Sequence, residues 1–134
     1  MPRIEKVMTL MPHTIGKKIL LEEAISMMKK YQIRHLPVLE AGDLVGVVTD
    51  RDVKLASSFQ GASRLTVEDI MTPNPYCIDP KTPVDHVTDA MAEHRYGCAV
   101  IRQENGKVVG IFTAVDALRV LSETLQTHYK NINS

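Results

Sequence analysis

The strongest constraint on this chain is an internal repeat. The segment LVGVVTDRD, which ends at Asp52, is matched by VVGIFTAVD, which ends at Asp116. A shift of 63 residues also places IEKVMT, from position 4, on VEDIMT, from position 67. The hairpin of the second half has one extra residue, and beyond it the two halves match again with a shift of 64. A match that keeps its register over a whole unit indicates a duplication. Two units are too few for a solenoid, so we expect two halves packed about a pseudo-twofold axis.

Both halves predict the same succession of elements. A helical turn and a short strand are followed by a helix with one apolar face, two strands and a final helix. The two strands are joined by Ala41 and Gly42 in the first half and by a turn containing Asn105-Gly106 in the second, as in hairpins. Thr82 is expected to cap the helix of the second half, with Pro83 at its first position. The predicted fold class is therefore α/β.

The same patterns set the expected boundaries. They are a first repeat at 4–56, a linker at 57–66, a second repeat at 67–121, and a helix end and tail at 122–134. The linker, SSFQGASRLT, is polar throughout most of its length. In the last helix Val115, Leu118, Leu121 and Leu125 fall on one face. That face is expected either to contact a second copy of the chain or to pack on its own module.

Composition argues against several classes of protein. The 134 residues carry 16 basic and 16 acidic side chains and no Trp, so we expect no nucleic-acid partner. No apolar stretch has the length of a membrane span, and the first residues lack the apolar region of a signal peptide, so we expect a cytoplasmic protein without a membrane partner. Cys77, Cys98 and the five His residues show no metal-binding spacing, and no common enzyme motif is present.

The repeated Thr-x-x-Asp motif has two interpretations. Thr49–Asp52 and Thr113–Asp116 resemble a helix capping box, as do Thr66–Asp69 and Thr82–Asp85. The first two pairs, however, follow a buried strand and open a helix, where unpaired N–H groups attract phosphate. A Thr hydroxyl there donates to phosphate, and an Asp accepts hydrogen bonds from ribose hydroxyls. The pattern therefore predicts two related ligand clefts, with local capping as the alternative.

The chain resembles a tandem pair of CBS domains, or Bateman module, over about residues 4–121. The resemblance lies in VMT and IMT at the repeat starts, in IRHLPVLE, in the Gly of the paired strands, and in GVVTDRD with GIFTAVD. It implies a β-α-β-β-α unit per repeat and clefts for an adenosyl ligand, foremost AMP, ADP or ATP, with NAD and S-adenosylmethionine as further candidates. It also implies a homodimer. The expected function is a regulatory module without catalysis or a required cofactor, whose ligand state an unidentified partner protein reads.

The resemblance also implies roles for individual residues. In the first cleft Asp52 is expected to hold the ribose and Thr49 the phosphate, with Arg51 and Arg34 neutralising phosphate charge. The base is expected to lie against Thr14, Ile15, His35, Leu36 and Pro37. In the second cleft Asp116 and Thr113 take the same roles, and the base is lined by Cys77, Ile78, Cys98, Ala99 and Val100. Because Val115 stands in place of Arg51, the first cleft is expected to bind a charged ligand more tightly.

Two other functions remain open at this point. The chain is either the ligand sensor or a ligand-free oligomerisation or docking module, in which Thr49 and Thr113 serve only as helix caps. A thiol redox sensor is a third hypothesis. It requires Cys77 and Cys98 to lie within disulfide reach, with their Cα atoms closer than about 7 Å.

Overall fold

The fold is α/β and repeats one arrangement of elements. The structure is a computed structural model that describes the backbone of residues 1–133 and the side chains of residues 1–130. The first half contains β1 (Thr9–Leu10), β2 (Ile15–Gly16), α1 (Leu21–Tyr31), β3 (His35–Glu40), β4 (Asp43–Thr49) and α2 (Asp50–Ser57). The second half contains α3 (Val67–Ile70), β5 (Thr72–Pro73), β6 (Cys77–Ile78), α4 (Val84–His94), β7 (Cys98–Arg102), β8 (Val108–Thr113) and α5 (Ala114–Asn133). Short 3-10 turns lie at Ile4–Lys6 and Ala62–Arg64, and position 134 of the predicted tail falls outside the described residues.

Each half contributes one strand to the sheet of the other. The two four-stranded sheets have the orders β2-β3-β4-β5 and β1-β8-β7-β6. Within each sheet the central hairpin is antiparallel, and β2 and β6 run parallel to the first strand of their hairpin. The outer strands β1 and β5 come from the opposite half of the chain. The tandem β-α-β-β-α fold is therefore confirmed, and its two repeats are interlocked.

The segments that lead into the exchanged strands are also buried in the opposite half. Ile4 is fully buried in the apolar cluster of the second repeat, and Val67 is fully buried in that of the first. Backbone hydrogen bonds support both placements, because Ile4 N donates to Thr82 O at 2.7 Å and Val67 N donates to Ile19 O at 2.8 Å. Each repeat therefore depends on the other for part of its core.

Both faces of each sheet are buried. Leu36, Val38 and Val48 point toward the helices and join the first apolar cluster, while the second cluster contains their counterparts in β7 and β8. Because side chains alternate along a strand, Pro37 and Val47 point the opposite way, and they too are buried. Their equivalents in the second sheet, Val100 and Ile111, are also buried and also lie outside the helix-side clusters. These four residues define the inter-repeat face of the sheets.

The repeated Gly of the paired strands lies beneath a methionine of the exchanged segment. Gly46 pairs with Pro73 and Gly110 pairs with Leu10, so each faces the incoming strand. A Cβ atom on Gly46 would lie 2.5 Å from Met71 Sδ, and one on Gly110 would collide with the side chain of Met8. A side chain at either position would therefore collide with the exchanged segment, and at Gly46 it would also meet the backbone oxygen of Thr72 at 2.8 Å.

Local signals in the sequence were reliable for the hairpins but not for one helix start. Ala41 and Gly42 both adopt positive φ, as does Gly106, and both predicted hairpins are confirmed. The expected Thr82 cap was wrong, because α4 begins at Val84 and Pro83 precedes it in an extended conformation. The reason is the exchanged segment: Thr82 O accepts from Ile4 N, and Pro83 forms a bridge with the N-terminal segment.

Candidate functional site

The two repeated Thr-Asp pairs form the same local structure at the ends of β4 and β8. Thr49 N donates to Asp52 Oδ2 at 3.0 Å, and Asp52 N donates to Thr49 Oγ1 at 3.2 Å. Thr113 and Asp116 make the same reciprocal bonds at 2.9 and 3.2 Å. All four residues are partly buried. Local capping is therefore real at both sites, and each carboxylate keeps its Oδ1 atom outside the cap.

A third pair shows that capping by itself does not mark a cleft. Thr66 N donates to Asp69 Oδ2 at 2.9 Å, and Thr66 Oγ1 donates to the same oxygen at 3.1 Å. These bonds lower the pKa of Asp69, whose side chain is exposed at the start of the short helix α3. Asp69 follows no sheet strand, in contrast to Asp52 and Asp116. It therefore provides an internal control for the two repeated pairs.

The second carboxylate oxygen distinguishes the two sites. Asp116 Oδ1 lies 3.6 Å from Arg119 Nη1, an ion pair within the first turns of α5. The residue equivalent to Arg119 in the first repeat is Leu55. Within residues 1–130, nothing forms a hydrogen bond or ion pair with Asp52 Oδ1. The first site therefore presents an open acceptor where the second presents one that is already paired.

The candidate base-lining residues fall into two groups by the alternation of the strands. Ile15, Leu36 and Ala99 belong to the helix-side clusters, and Ile78 packs against one of them. Their neighbours point to the inter-repeat face: Thr14, His35, Pro37, Cys77, Cys98 and Val100. The side chains of the second group therefore lie on the inter-repeat faces of the two sheets. The residues of the first group present only their main chain on those faces.

The two candidate arginines lie in different surroundings. Arg34 lines a cavity of about 590 Å³ between α1 and α2, on the helix side of the sheet, together with Lys29, Asp50 and Lys54. Arg51 is exposed in the first turn of α2, one residue before Asp52. Arg51 is thus the nearer in sequence to the capped carboxylate, whereas Arg34 belongs to a basic groove between helices.

His35 lies where the two repeats meet. A Cβ atom on Gly97, the residue equivalent to Arg34, would be 3.7 Å from His35 Nε2. Burial lowers the pKa of His35, and the nearby carboxylates of Asp50, Asp116 and Asp52 oppose that shift while Arg34 reinforces it. The sequence placed His35 in the first cleft, but its surroundings include a carboxylate of each cleft. Gly97 and Arg119 were missed, because neither belongs to the repeated motif.

We expect His35 to make the stability of the protein depend on pH. Because burial holds the folded-state pKa below the ordinary value of 6.5, the unfolded chain binds the proton more readily. The free energy of unfolding should therefore be highest above pH 6.5 and fall as pH decreases from there through the folded-state pKa. Urea titrations at several pH values should show this slope, and His35→Gln should flatten it. An equal slope in His35→Gln would contradict the prediction, and exposed His128→Gln is the control.

The two thiols are unpaired and poorly suited to reaction as nucleophiles. Cys77 lies opposite Val100 in the β6–β7 pair, two residues along from Cys98. Burial raises the pKa of Cys98 to about 11 and raises that of Cys77 in the same direction. The thiolate is the reactive form, so both groups are predominantly protonated near neutral pH. Neither Cys77 nor Cys98 is therefore an activated thiol of the kind that a redox sensor needs.

Two further features of the described part of the chain concern metal ions and membranes. Within it, no group of three or more His, Cys, Asp or Glu side chains is arranged to hold a metal ion. None of the helices there has the length and apolar character needed to cross a membrane. The candidate site consequently rests on the capped carboxylates and on the inter-repeat faces of the sheets.

Both halves of the chain match one protein family. The CBS domain family model matches residues 4–58 and 67–123. CBS domain-containing protein YhcV of Bacillus subtilis is 30% identical over 117 residues, which cover 87% of this chain and 83% of YhcV. L-aspartate semialdehyde sulfurtransferase of Methanocaldococcus jannaschii is 31% identical over 118 residues, covering 87% of this chain. The chain spans only 23% of the length of that enzyme, so the similarity concerns one part of it.

A solved structure supports the same assignment. The CBS domain pair of protein MJ0100, crystallised in complex with 5′-methylthioadenosine and S-adenosyl-L-methionine, is 30% identical to this chain. The TM-score is 0.83, and the similarity covers 91% of this chain and 97% of the other. With 91% of this chain covered, the agreement extends over both repeats. The chain therefore belongs to the CBS domain family, of which it contains a tandem pair.

Proposed function

We propose that this protein is a regulatory module that binds an adenosyl ligand between its repeats and catalyses no reaction. The observation that carries the proposal is the open Oδ1 atom of partly buried Asp52, at the start of the helix that follows β4. The similar CBS domain pair of protein MJ0100 was crystallised with two adenosyl compounds, which supports this ligand class. The bound state would be read by a partner protein. Energy from the ligand shifts the module only if its two states differ in affinity.

The first cleft offers complementary groups to each part of such a ligand. Asp52 Oδ1 accepts hydrogen bonds from ribose hydroxyls, each worth about 1.5–3 kcal/mol because the acceptor is charged. Thr49 Oγ1 already accepts from Asp52 N, so its own O–H is left to donate to phosphate. Arg51 adds a positive charge beside it. For the base, Thr14 offers a partly exposed side chain, whereas Pro37 is fully buried and would meet the base only if the two repeats move apart.

We propose that the two clefts differ in their affinity for a charged ligand. In the second cleft Arg119 occupies Asp116 Oδ1, and Val115 replaces Arg51. A ligand there must share or displace this ion pair, and no Arg stands at the position equivalent to Arg51. We therefore propose AMP, ADP or ATP for the first cleft. The second cleft suits a less charged adenosyl compound, such as S-adenosylmethionine, with NAD as a further candidate.

Nucleotide binding is expected to stabilise the wild-type protein and to require Asp52. A ligand at 100 times its dissociation constant adds about 2.7 kcal/mol to the free energy of unfolding. We expect thermal unfolding with AMP, ADP and ATP to show this gain, and Asp52→Ala to abolish it. Without ligand, Asp52→Ala should lower stability by only about 1 kcal/mol, the worth of one capping hydrogen bond.

The matched control is Asp69→Ala, which removes the same kind of capping bond from the exposed Thr66–Asp69 pair. It should leave the response to nucleotide unchanged. If no adenosyl compound shifts the unfolding temperature of the wild type, the ligand-free docking module becomes the better proposal. Capping alone would then account for Thr49 and Thr113.

We also propose that α5 mediates a homodimer. The side chains of Val115, Leu118, Leu121 and Leu125 are 45–63% exposed, although they line one face of a 20-residue helix. Leu118 and Leu121 also border an apolar groove of about 720 Å³ between α4 and α5. An apolar patch of this kind on a small protein is typical of an interaction surface.

The apolar face of α5 suits a second copy of the same helix, because two such faces related by a twofold axis bury each other. Leu118→Asp combined with Leu121→Asp is expected to convert a dimer to a monomer in sedimentation velocity. Thr127→Asp, on the side of α5 away from this face, should not. A wild type that sediments as a monomer at high micromolar concentration would contradict the proposal.

A further inference from the structure

The groove between α1 and α2 combines a basic rim with an apolar floor. Its volume is about 590 Å³, and the cations along its rim are Lys29, Arg34 and Lys54. The floor is formed by the buried or half-buried side chains of Ile25, Met28, Ile33 and Val53. The groove therefore offers apolar contact and positive charge to one and the same occupant.

The cations of the rim have no acidic partners within the chain. Within residues 1–130, neither Lys29, Arg34 nor Lys54 forms an ion pair with a carboxylate. The only carboxylate among the described residues that line this groove is Asp50, which is half-buried at the start of α2. The groove thus has an excess of positive charge, although the whole chain has equal numbers of basic and acidic side chains. A local excess of this kind attracts acidic groups.

The second repeat has an equivalent groove without these charges. The residues equivalent to Lys29, Arg34 and Lys54 are Ala92, Gly97 and Leu118. The groove between α4 and α5 is lined mainly by apolar side chains, and it borders the face proposed for the homodimer. Because both repeats have the same fold, the packing of α1 against α2 does not require the basic rim. The rim therefore indicates an occupant that only the first repeat receives.

Helix α2 connects this groove to the first cleft. Asp52, in the first turn of α2, has the carboxylate proposed for the ligand, and Lys54 lines the groove further along the same helix. Arg34 O accepts a hydrogen bond from Asp50 N at 3.0 Å, so the start of α2 is fixed to the segment that follows α1. Any displacement of α2 by a bound ligand consequently changes the shape of the groove.

We infer that the α1–α2 groove is the docking surface for the partner protein and that its occupant is an acidic amphipathic helix. The inference rests on the proposed function, in which a partner reads the ligand state of the module. A helix in an apolar groove is anchored by apolar residues three and four positions apart. Acidic residues beside that apolar face would meet the three cations of the rim.

The dimensions and the floor of the groove favour a helix over a small anion. α1 has 11 residues, which is about 16 Å at the usual rise, so a partner helix of about three turns spans it. The aliphatic stems of Lys29 and Lys54 extend the apolar floor toward such a helix. Free phosphate would contact the cations but would leave the floor exposed to water.

Peptides selected from a random library test the inference. Phage-displayed peptides of about 12 residues, long enough for three helical turns, are selected on the immobilised wild type and then synthesised with a fluorescent label. They are expected to have acidic residues beside apolar residues three and four apart, and to bind less tightly as NaCl is raised. In fluorescence anisotropy, Lys29→Glu combined with Lys54→Glu should weaken binding by about tenfold or more, because like charges then face each other.

Lys6→Glu combined with Lys81→Glu is the matched control, because it changes the net charge equally at exposed positions outside the groove. It should leave the affinity for the peptides unchanged. The inference is overturned if no peptide is selected, if the selected peptides are not acidic, or if they bind the groove variant as tightly as the wild type. It is also overturned if the groove variant alone sediments differently from the wild type, since a second copy of the chain then covers the groove.

Asp52→Ala separates this inference from the proposed function. AMP should change the affinity of the wild type for the peptide by about fivefold or more, and Asp52→Ala should remove this effect while the peptide still binds. If the wild type binds the peptide but no AMP, the proposed function fails and the docking surface stands. If AMP binds through Asp52 but no acidic peptide occupies the groove, or the two bind without affecting each other, the function stands and the inference is overturned.

Discussion

Replacing Ile4 by Ala is expected to lower the free energy of unfolding by about 2–5 kcal/mol, the range for truncating a fully buried Ile. Ile4 is near the start of the chain, where truncation of a side chain usually has little effect. Here it is fully buried, with Val84, Val87 and Phe112, in the cluster of the second repeat. Chemical denaturation followed by circular dichroism measures the loss.

Lys6→Ala is the control for this prediction, because Lys6 is an exposed residue of the same turn. An exposed substitution of this kind should change stability by no more than about 0.5 kcal/mol. If Ile4→Ala proves as mild as Lys6→Ala, the N-terminal segment is not part of the folded core. The exchange of segments between the repeats would then be incorrect.

Replacing Gly46 by Ala is expected to cost about 1–3 kcal/mol, the range for overpacking a buried site. The new Cβ atom would lie 2.5 Å from Met71 Sδ and 2.8 Å from the carbonyl oxygen of Thr72. A methionine side chain adapts, but a backbone oxygen in a paired strand moves only with the strand itself. The substitution should therefore displace β5 from the edge of the first sheet.

Gly110→Ala is the matched comparison at the equivalent position of the second repeat. The three nearest neighbours of its new Cβ are atoms of the Met8 side chain alone. Because Met8 has other rotamers available, this variant should lose less stability than Gly46→Ala in the same denaturation experiment. Equal losses would show that the strand backbone is not the obstacle.

The sequence was sufficient for the parts of the fold that carry a local signal. The duplication, the two hairpins and the helices with one apolar face follow from register, turn residues and periodicity. The exchange of β1 and β5 was not predicted, because a two-residue strand has no measurable periodicity. The same exchange explains why the predicted helix cap at Thr82 was wrong. Thr82 and Pro83 pair with the N-terminal segment, and this pairing overrides the local preference for a cap.

The candidate site divides in the same way. The Thr-Asp pairs were visible because they repeat, and their capping bonds depend only on residues three apart. The position of Gly97 beside His35 depends on how the two repeats pack together, and no local sequence pattern predicts that packing. The difference between Pro37 and Val100 was visible as a residue difference. The structure adds a hydrogen bond from Val100 N to Tyr76 O, which Pro37 cannot match because proline has no N–H group.

The exchanged strands also bear on how such a protein can arise. A single repeat made on its own would leave the outer edge of its β4-type strand unpaired, with exposed N–H and C=O groups that invite another chain. Its own opening strand cannot fill that edge, because the strand reaches only the sheet of a neighbouring repeat. Two identical single repeats, by contrast, complete each other. A one-repeat ancestor would thus have been a symmetric dimer, and duplication of its gene would have joined the two subunits into one chain whose copies were then free to diverge.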